Sequence, residues 1–462
     1  MKTDQTRLDK VRGCLIGGAA GDALGYAVEF NRYNEIVSRY GEKGITRYEL
    51  NHNGEAEISD DTQMTLFTAN GLLINDITTA YLEWLHTQSS SGNMLQNAKC
   101  WLSDVPEMYV RRAPGMTCMS ALAAISNGKK ALNNSKGCGG IMRVAPIALF
   151  GMTLEEVAQQ ACDAARLTHL HPMGYLPAGV FAATIHNVMQ IKDETITFEM
   201  LENCVNDALD AVEKIDDSDY MNELREKTQL AIELTKEDIA DVEAISRLGE
   251  GWVGDEAWHI AVYCAFKHID SFCDAIIAAV NHSGDSDSTG AICGNLMGAI
   301  HGYDAIPEHF KQNLELHEVI LKMAGQLFDK QSPSVKCGVT PNFITLLREN
   351  EVFVFGSNLQ GQHMGGAARI AVDKFGAEWG NGVGMQGQCY AIPTMHGGVD
   401  VIKPYVDEFI EYVKSHTDKH FLVTRIGCGI AGFRVSEIAP LFADALALSN
   451  VSLPKDFIET LK

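Results

Sequence analysis

A large, mainly helical domain followed by a small α/β domain is the architecture this sequence predicts, and three observations carry the prediction. The chain has 462 residues, beyond the size at which one hydrophobic core keeps growing, so more than one domain is expected. Up to about residue 330 the apolar residues recur with a helical period, and alternating strand patterns are scarce. From about residue 345 short apolar runs alternate with helical stretches, which implies strands and helices in turn. The predicted boundaries are 1–330, a linker over 331–349, and a second domain over 350–462.

In the first domain, "TLEEVAQQACDAARLTHLH" sets Thr153 and Glu156 at capping-box spacing. Leu154, Val157, Ala158, Ala161 and Ala165 then fall on one helix face. "MNELREKTQLAIELT" and "DEAWHIAVYCAFKHI" have the same texture. The stretch "FDKQSPSVKCGVTPN" carries Ser, Pro, Gly and Lys and reads as the linker. Beyond it, "EVFVFGSN" is an apolar run ending in a turn and "GGAARIAVDKFG" is helical. "YAIPT" is strand-like, "VIKPYVDEFIEYVKSH" helical, and "HFLVTRIG" a buried-strand candidate.

Composition excludes several classes of function. With 46% hydrophobic and 21% charged residues the chain is ordinary globular material. Its formal charge of -23 argues against binding nucleic acid by bulk electrostatics, which needs Lys and Arg to neutralise phosphates. Twelve cysteines are scattered singly with no C-x-x-C pair, so reduced thiols in a cytoplasm are expected. The start, "MKTDQTRLDKVRGCLIGGAAGDALG", lacks the apolar run of a secretory peptide. No stretch approaches the roughly 20 apolar residues of a membrane helix.

The chemistry concentrates in four stretches. "NHSGDSDSTG", residues 281–290, sets Asp285 and Asp287 beside Ser288 at the expected start of a tightly packed helix. Asp and Ser also cap helices, so this run alone is open to a purely structural role. "ISDDTQMTL" repeats the pattern with Ser59, Asp60, Asp61 and Thr62. Converging carboxylates repel one another unless a cation joins them, and hard oxygen donors suit Mg²⁺ or Mn²⁺. "GGAAGDALGYAVEF" adds Asp22 and Glu29 among small residues. In "NNSKGCGGIMRVAP", Gly137, Gly139 and Gly140 would let backbone N–H groups approach an anion, although the Walker spacing is missing.

Taken in order, "RGCLIGGAAGDALGYAVEF", "SDDTQM", "RRAPGMT", "SKGCGGIMRVAP", "LTHLHP", "GWVGDEAWHIAVYCAF" and "GDSDSTGAICGNLMGAIHG" resemble the ADP-ribosylglycohydrolases. The resemblance spans residues 8 to about 305. It implies an all-α fold and a dinuclear Mg²⁺ or Mn²⁺ centre held by Ser59, Asp60, Asp61, Asp285, Asp287 and Ser288. It implies that the loop of Lys136, Gly137, Cys138, Gly139, Gly140 and Met142 cradles diphosphate and ribose, with His169 close to the ligand. Glu29 or Asp61 would move the proton. "HSGDSDS" departs from the Gly-Gly pair and Thr of many members, and a Ser hydroxyl still ligates. The implied activity is hydrolysis of ADP-ribose from protein side chains, arginine favoured and serine open. The rival reading is a non-catalytic ADP-ribose reader or an immunity protein that occludes a cognate ADP-ribosyltransferase toxin.

In the second domain, "VFVFGSNLQGQHMGGAARIA" and "LVTRIGCGIAGFRVSEIAPLF" place glycine-rich loops after strands, which expose backbone donors to a nucleotide. The pair resembles macrodomain-like modules of bacteria and their phages over about residues 350 to 445. That likeness implies ADP-ribose contacts from Ser357, Asn358, Gly427, Gly429 and Gly432. His363 is expected to be a loop residue.

Overall fold

The computed structural model describes residues 2–89, 93–150, 152–191, 195–331, 337–341, 344–348 and 350–461. The chain divides into two compact units, Met1–Gln331 and Ser332–Lys462. Among the described residues the first unit is helical, and its extended backbone amounts to isolated bridges, Ala56 to Leu314 and Gly137 to Val253. No helix of the described residues is long and apolar enough to cross a membrane. The cysteines of the helical unit, with Cys389 and Cys428 of the second, are free thiols.

Two helices at the centre of the first unit, Lys2–Tyr26 and Ser286–His301, run antiparallel with their backbones in contact. Glycines one turn apart make this possible, because residues i and i+4 share a helix face. A Cβ on Gly13, Gly17, Gly21 or Gly25 would collide with the backbone of Gly298, Gly294, Gly290 or Ser286 in turn. Asn295 Nδ2 locks the pair by donating to the Cys14 carbonyl at 2.7 Å. The C-terminal end of one helix thereby lies against the N-terminal end of the other. Asp22 comes from the first helix and Glu29 from the turn that follows it, while Asp285 caps the second helix and Asp287 stands in its first turn.

Local signals hold elsewhere in this unit. Thr153 caps Leu154–Arg166 in a full capping box with Glu156, and Val157, Ala158, Ala161 and Ala165 are buried. The other two predicted helices are Asp219–Leu234 and Gly254–Lys267.

The second unit is built on β1 (Gly338–Val339), β2 (Glu351–Ser357), β3 (Gly384–Gln386), β4 (Cys389–Pro393), β5 (His420–Val423) and β6 (Val451–Leu453). Their order is β1-β6-β5-β2-β4-β3, parallel except for β3 against β4. Alternate residues of β2 face opposite layers, as a pleated strand requires. Val352 and Val354 join Val406 and Phe409 of the Val399–Ser415 helix, whereas Phe353 and Phe355 join Ala371 and Phe375 of the Gly366–Phe375 helix. The sheet also draws on the stretch expected as a linker, since Gly338 and Val339 pair with Ser452 and Leu453. A two-residue strand is too short to show a pattern of alternation. Residues 332–336, 342, 343 and 349 of that stretch lie outside the described residues.

Candidate functional site

The acidic stretches converge at two helix N-termini, where the helix dipole favours negative charge. Ser59 caps Asp60–Ile74 by accepting from Asp61 N at 3.1 Å. Asp285 caps Ser286–His301, and Asp287 Oδ1 accepts from Ser288 N at 2.9 Å. Glu29, Asp285 and Asp287 each present a carboxylate oxygen, and the three oxygens lie within 4.8 Å of one another. Asp22 holds the two halves in register. Its carboxylate accepts from Ser59 N at 3.0 Å, from Thr62 N at 3.1 Å and from the Thr62 hydroxyl. Asp60 Oδ2 accepts from Gly115 N at 3.4 Å, and Ser288 is buried beside Asp287.

The electrostatics of this cluster favour positive charge, as bound protons or as a cation. Asp22, Glu29, Asp60, Asp61, Asp285 and Asp287 are all buried. Among the described residues no ion pair reaches them, and nearby Arg112 pairs instead with Glu315 at 2.9 Å and Glu57 at 3.4 Å. Burial first, and the Asp287 charge second, push Glu29 up to about 9 and Asp22 to about 7. The same causes hold Asp60, Asp61 and Asp285 well above the carboxylate range. Burial raises Asp287 itself. Two buried oxygens, Glu29 Oε2 and Asp61 Oδ2, have no hydrogen-bond partner. Unpartnered buried acceptors cost free energy, and hard divalent ions are what such oxygens suit. The residues present therefore fit a divalent cation.

The glycine loop docks directly on this cluster. Cys138 Sγ donates to Asp285 Oδ2 at 2.8 Å, and burial together with Asp285 pushes the thiol well up, so it stays protonated. The Lys136 carbonyl accepts from Gly254 N at 2.8 Å, and Cys138 N donates to the Trp252 carbonyl at 3.2 Å. Lys136 is exposed and Gly137, Cys138 and Gly139 are half-buried, so this part of the loop is open to a ligand. Gly140 and Met142 are turned inward instead. A Cβ on Gly140 would collide with the Gly174 carbonyl oxygen, and Met142 is buried in the core. Gly140 serves a close backbone crossing, and the Met142 side chain fills apolar space.

His169 lies beneath the loop, 2% exposed, and a Cβ on Gly139 would come within 3.0 Å of its ring. Burial and then the Arg143 charge lower it to about 3, so its imidazole is neutral. Arg143 is fully buried. Its Nη2 donates to Thr168 Oγ1 at 2.7 Å and to the Ala164 carbonyl at 2.9 Å, and the guanidinium lies 4.4 Å from the Tyr81 ring centroid. Asp22 and Arg143 are the positioning residues that sequence reasoning did not assign. The only signal for each was a lone charge inside an otherwise small or apolar run.

Residues 3–335 match the family model described as ADP-ribosylglycohydrolase. The chain belongs to the ADP-ribosylglycohydrolase family. It is an enzyme of that glycosidase class. A protein of Archaeoglobus fulgidus is 31% identical over 71% of this chain and 99% of its own length. ADP-ribosylhydrolase ARH3 of Homo sapiens is 26% identical, covering 67% of this chain and 90% of that protein. ADP-ribosylarginine hydrolase Tri1 of Pseudomonas putida is 25% identical, covering 71% and 80%.

Beyond the glycohydrolase unit, the α/β unit has a crevice of about 300 Å³ lined by Gly356, Ser357, Asn358, Arg425, Gly427 and Gly429, among others. It opens where β2 and β5 end and their connections depart in opposite directions, β2 towards β4 and β5 towards β6. Open parallel sheets hold ligands at such switch points. Asn358 is committed to its own loop, with Oδ1 accepting from Gln362 N at 3.1 Å and Nδ2 donating to the Gln362 carbonyl at 2.8 Å. Gly427 has φ 72°, a left-handed turn that favours glycine. Gly432 N donates to the Gly429 carbonyl at 3.0 Å and closes the second loop. His363 is buried, with Nε2 bonded to the Asn381 carbonyl at 3.0 Å.

Proposed function

We propose that the protein is a divalent-metal-dependent hydrolase that releases ADP-ribose from ADP-ribosylated protein side chains, reversing mono-ADP-ribosylation. Arginine is the favoured acceptor, and serine is the second. The observation that carries this reading is the pair of unpartnered buried oxygens, Glu29 Oε2 and Asp61 Oδ2, inside a cluster of buried carboxylates. A protein that only read or occluded its target would have no use for so costly an arrangement.

Ser59, Asp60 and Asp61 on one helix start, with Asp285, Asp287 and Ser288 on the other, would hold two Mg²⁺ or Mn²⁺ ions. Bound there, the ions supply Lewis acidity and a hydroxide near neutral pH. The chain's own groups do the rest. Loss of the side-chain acceptor leaves positive charge on the ribose, and the surrounding carboxylates lower the energy of that state. Glu29 Oε2 and Asp61 Oδ2 are the two positions from which a proton can be moved. Gly137, Cys138 and Gly139 offer backbone to the diphosphate, and neutral His169 supports them from below without adding charge.

The preference for arginine is supported by the name of the Tri1 relative. The α/β unit is proposed as a macrodomain-like ADP-ribose-binding module, on the strength of its switch-point crevice and glycine loops. A cognate ADP-ribosyltransferase toxin is the partner class that such a pairing of modules would oppose.

The test is release of ADP-ribose from arginine- and serine-modified substrates, by wild type and Asp61→Ala, with Mg²⁺ and after chelation. Release is expected only from wild type with metal. Absence of release from both linkages under that condition refutes the hydrolase, and tight ADP-ribose binding without turnover would establish the reader.

A further inference from the structure

Beside the acidic cluster stand two large aromatic rings that the chemistry above does not use. Phe30 follows Glu29 directly in the chain. Glu29 is 8% exposed and Phe30 is 74% exposed, so one turn sends its carboxylate inward and its ring outward. Trp252, 39% exposed, comes from the segment that braces the other side of the site. Its carbonyl accepts from Cys138 N, and the Glu250 carbonyl accepts from Asp285 N at 2.8 Å. The two rings lie with centroids 6.1 Å apart and planes inclined by 20°, an offset stack. Phe30 has most of its surface in solvent, so packing does not account for it. A pair of exposed rings beside a catalytic cluster is the kind of apolar surface that marks a binding site.

We propose that Phe30 and Trp252 form the acceptor subsite, an aromatic platform that stacks the guanidinium of an ADP-ribosylated arginine side chain. The inference rests on the hydrolase reading and adds what sets the acceptor preference. A guanidinium is planar, weakly hydrated and cationic, and it stacks on aromatic faces. A serine linkage brings neither charge nor plane to the same place. The platform therefore selects the arginine linkage through binding and takes no part in bond cleavage.

The experiment is steady-state hydrolysis by the Mg²⁺-loaded full chain, comparing wild type with Phe30→Ala and Trp252→Ala on arginine- and serine-linked ADP-ribosyl peptides. Affinity for free ADP-ribose is measured alongside by calorimetry. The KM for the arginine linkage should rise about tenfold in each variant, with kcat little changed. The serine-linked KM and the ADP-ribose affinity should hold, and Phe30→Tyr and Trp252→Phe should restore the arginine KM. Thermal unfolding checks the fold, with Phe30→Leu and Trp252→Leu in reserve if an alanine variant fails to fold.

An unchanged arginine KM overturns the platform, as does an equal loss on both linkages. Loss of ADP-ribose affinity overturns it too, because the rings would then serve the nucleotide. A wild type that cleaves neither linkage refutes the hydrolase reading and this inference together. A wild type that cleaves arginine linkages while the variants keep its KM refutes this inference alone.

Discussion

The helical unit and the α/β unit differ in what they leave unsatisfied. In the helical unit, carboxylate oxygens are buried without partners, and Glu29 and Asp22 are pushed up to about 9 and about 7 by burial and by Asp287. In the α/β unit the polar side chains at the crevice are engaged nearby, with Asn358 bonded to Gln362 and Ser357 to the Asn358 carbonyl. What remains there is backbone, glycine and the side chains of Gln362, Met364, Met395 and Ile430. The first arrangement fits the cation-assisted chemistry proposed for it, whereas the second suits holding a ligand. The family match follows the same division, ending at residue 335.

The comparison breaks most visibly at Asp287, whose charge raises all the other carboxylates of the cluster. Asp287→Asn should lower the rate of ADP-ribose release by about 10³-fold, read in single-turnover assays, and leave ADP-ribose binding by the α/β unit intact. Equal loss of both functions would deny that the units act separately.

Next in size is the glycine seam. Gly21→Val puts a side chain where the Gly290 carbonyl lies, and overpacking of this kind costs about 3 kcal/mol. Denaturant unfolding should show the helical transition displaced and the α/β transition unmoved.

A third contrast is in pH. Carboxylates raised by folding bind protons more tightly in the folded state, so their contribution is complete below about pH 4. It is lost as pH climbs through about 7 for Asp22 and about 9 for Glu29. With metal removed, the melting temperature of the helical unit should fall between these limits while the α/β unit changes little. Mg²⁺ should restore the loss at the alkaline end. A flat profile without metal would contradict the assigned burial energetics.

The smallest effect belongs to Gly427. Gly427→Ala strains a left-handed turn by about 1 kcal/mol and should weaken ADP-ribose binding in the crevice. Hydrolysis by the helical unit should not change.

Much of this division is legible in the sequence, because local patterns encode local structure. Thr153 and Glu156 announce their capping box, and the DSDS and SDD runs announce two acidic helix starts. Long-range partners are hidden. The period of Gly13, Gly17 and Gly21 marks a close-packed face but not that the helix of Gly290, Gly294 and Gly298 meets it. Asp22 looks like any single acid in a helix until Ser59 and Thr62 are seen donating to it. Gly140 and Met142 read as loop residues because a glycine run does not say which glycines face a ligand and which face another backbone. The strand Gly338–Val339 is too short for any periodic signal.

The two acidic helix starts are proposed to form one cation site. A crystal of the full chain soaked with Mn²⁺ and ADP-ribose, with anomalous scattering recorded at the manganese edge, tests it most directly. Strong peaks are expected between Ser59, Asp60 and Asp61 on one side and Asp285, Asp287 and Ser288 on the other, with the ribose against them. Manganese found elsewhere, or ADP-ribose bound at this cluster with no peak beside it, would show that the two helix starts are not a cation site.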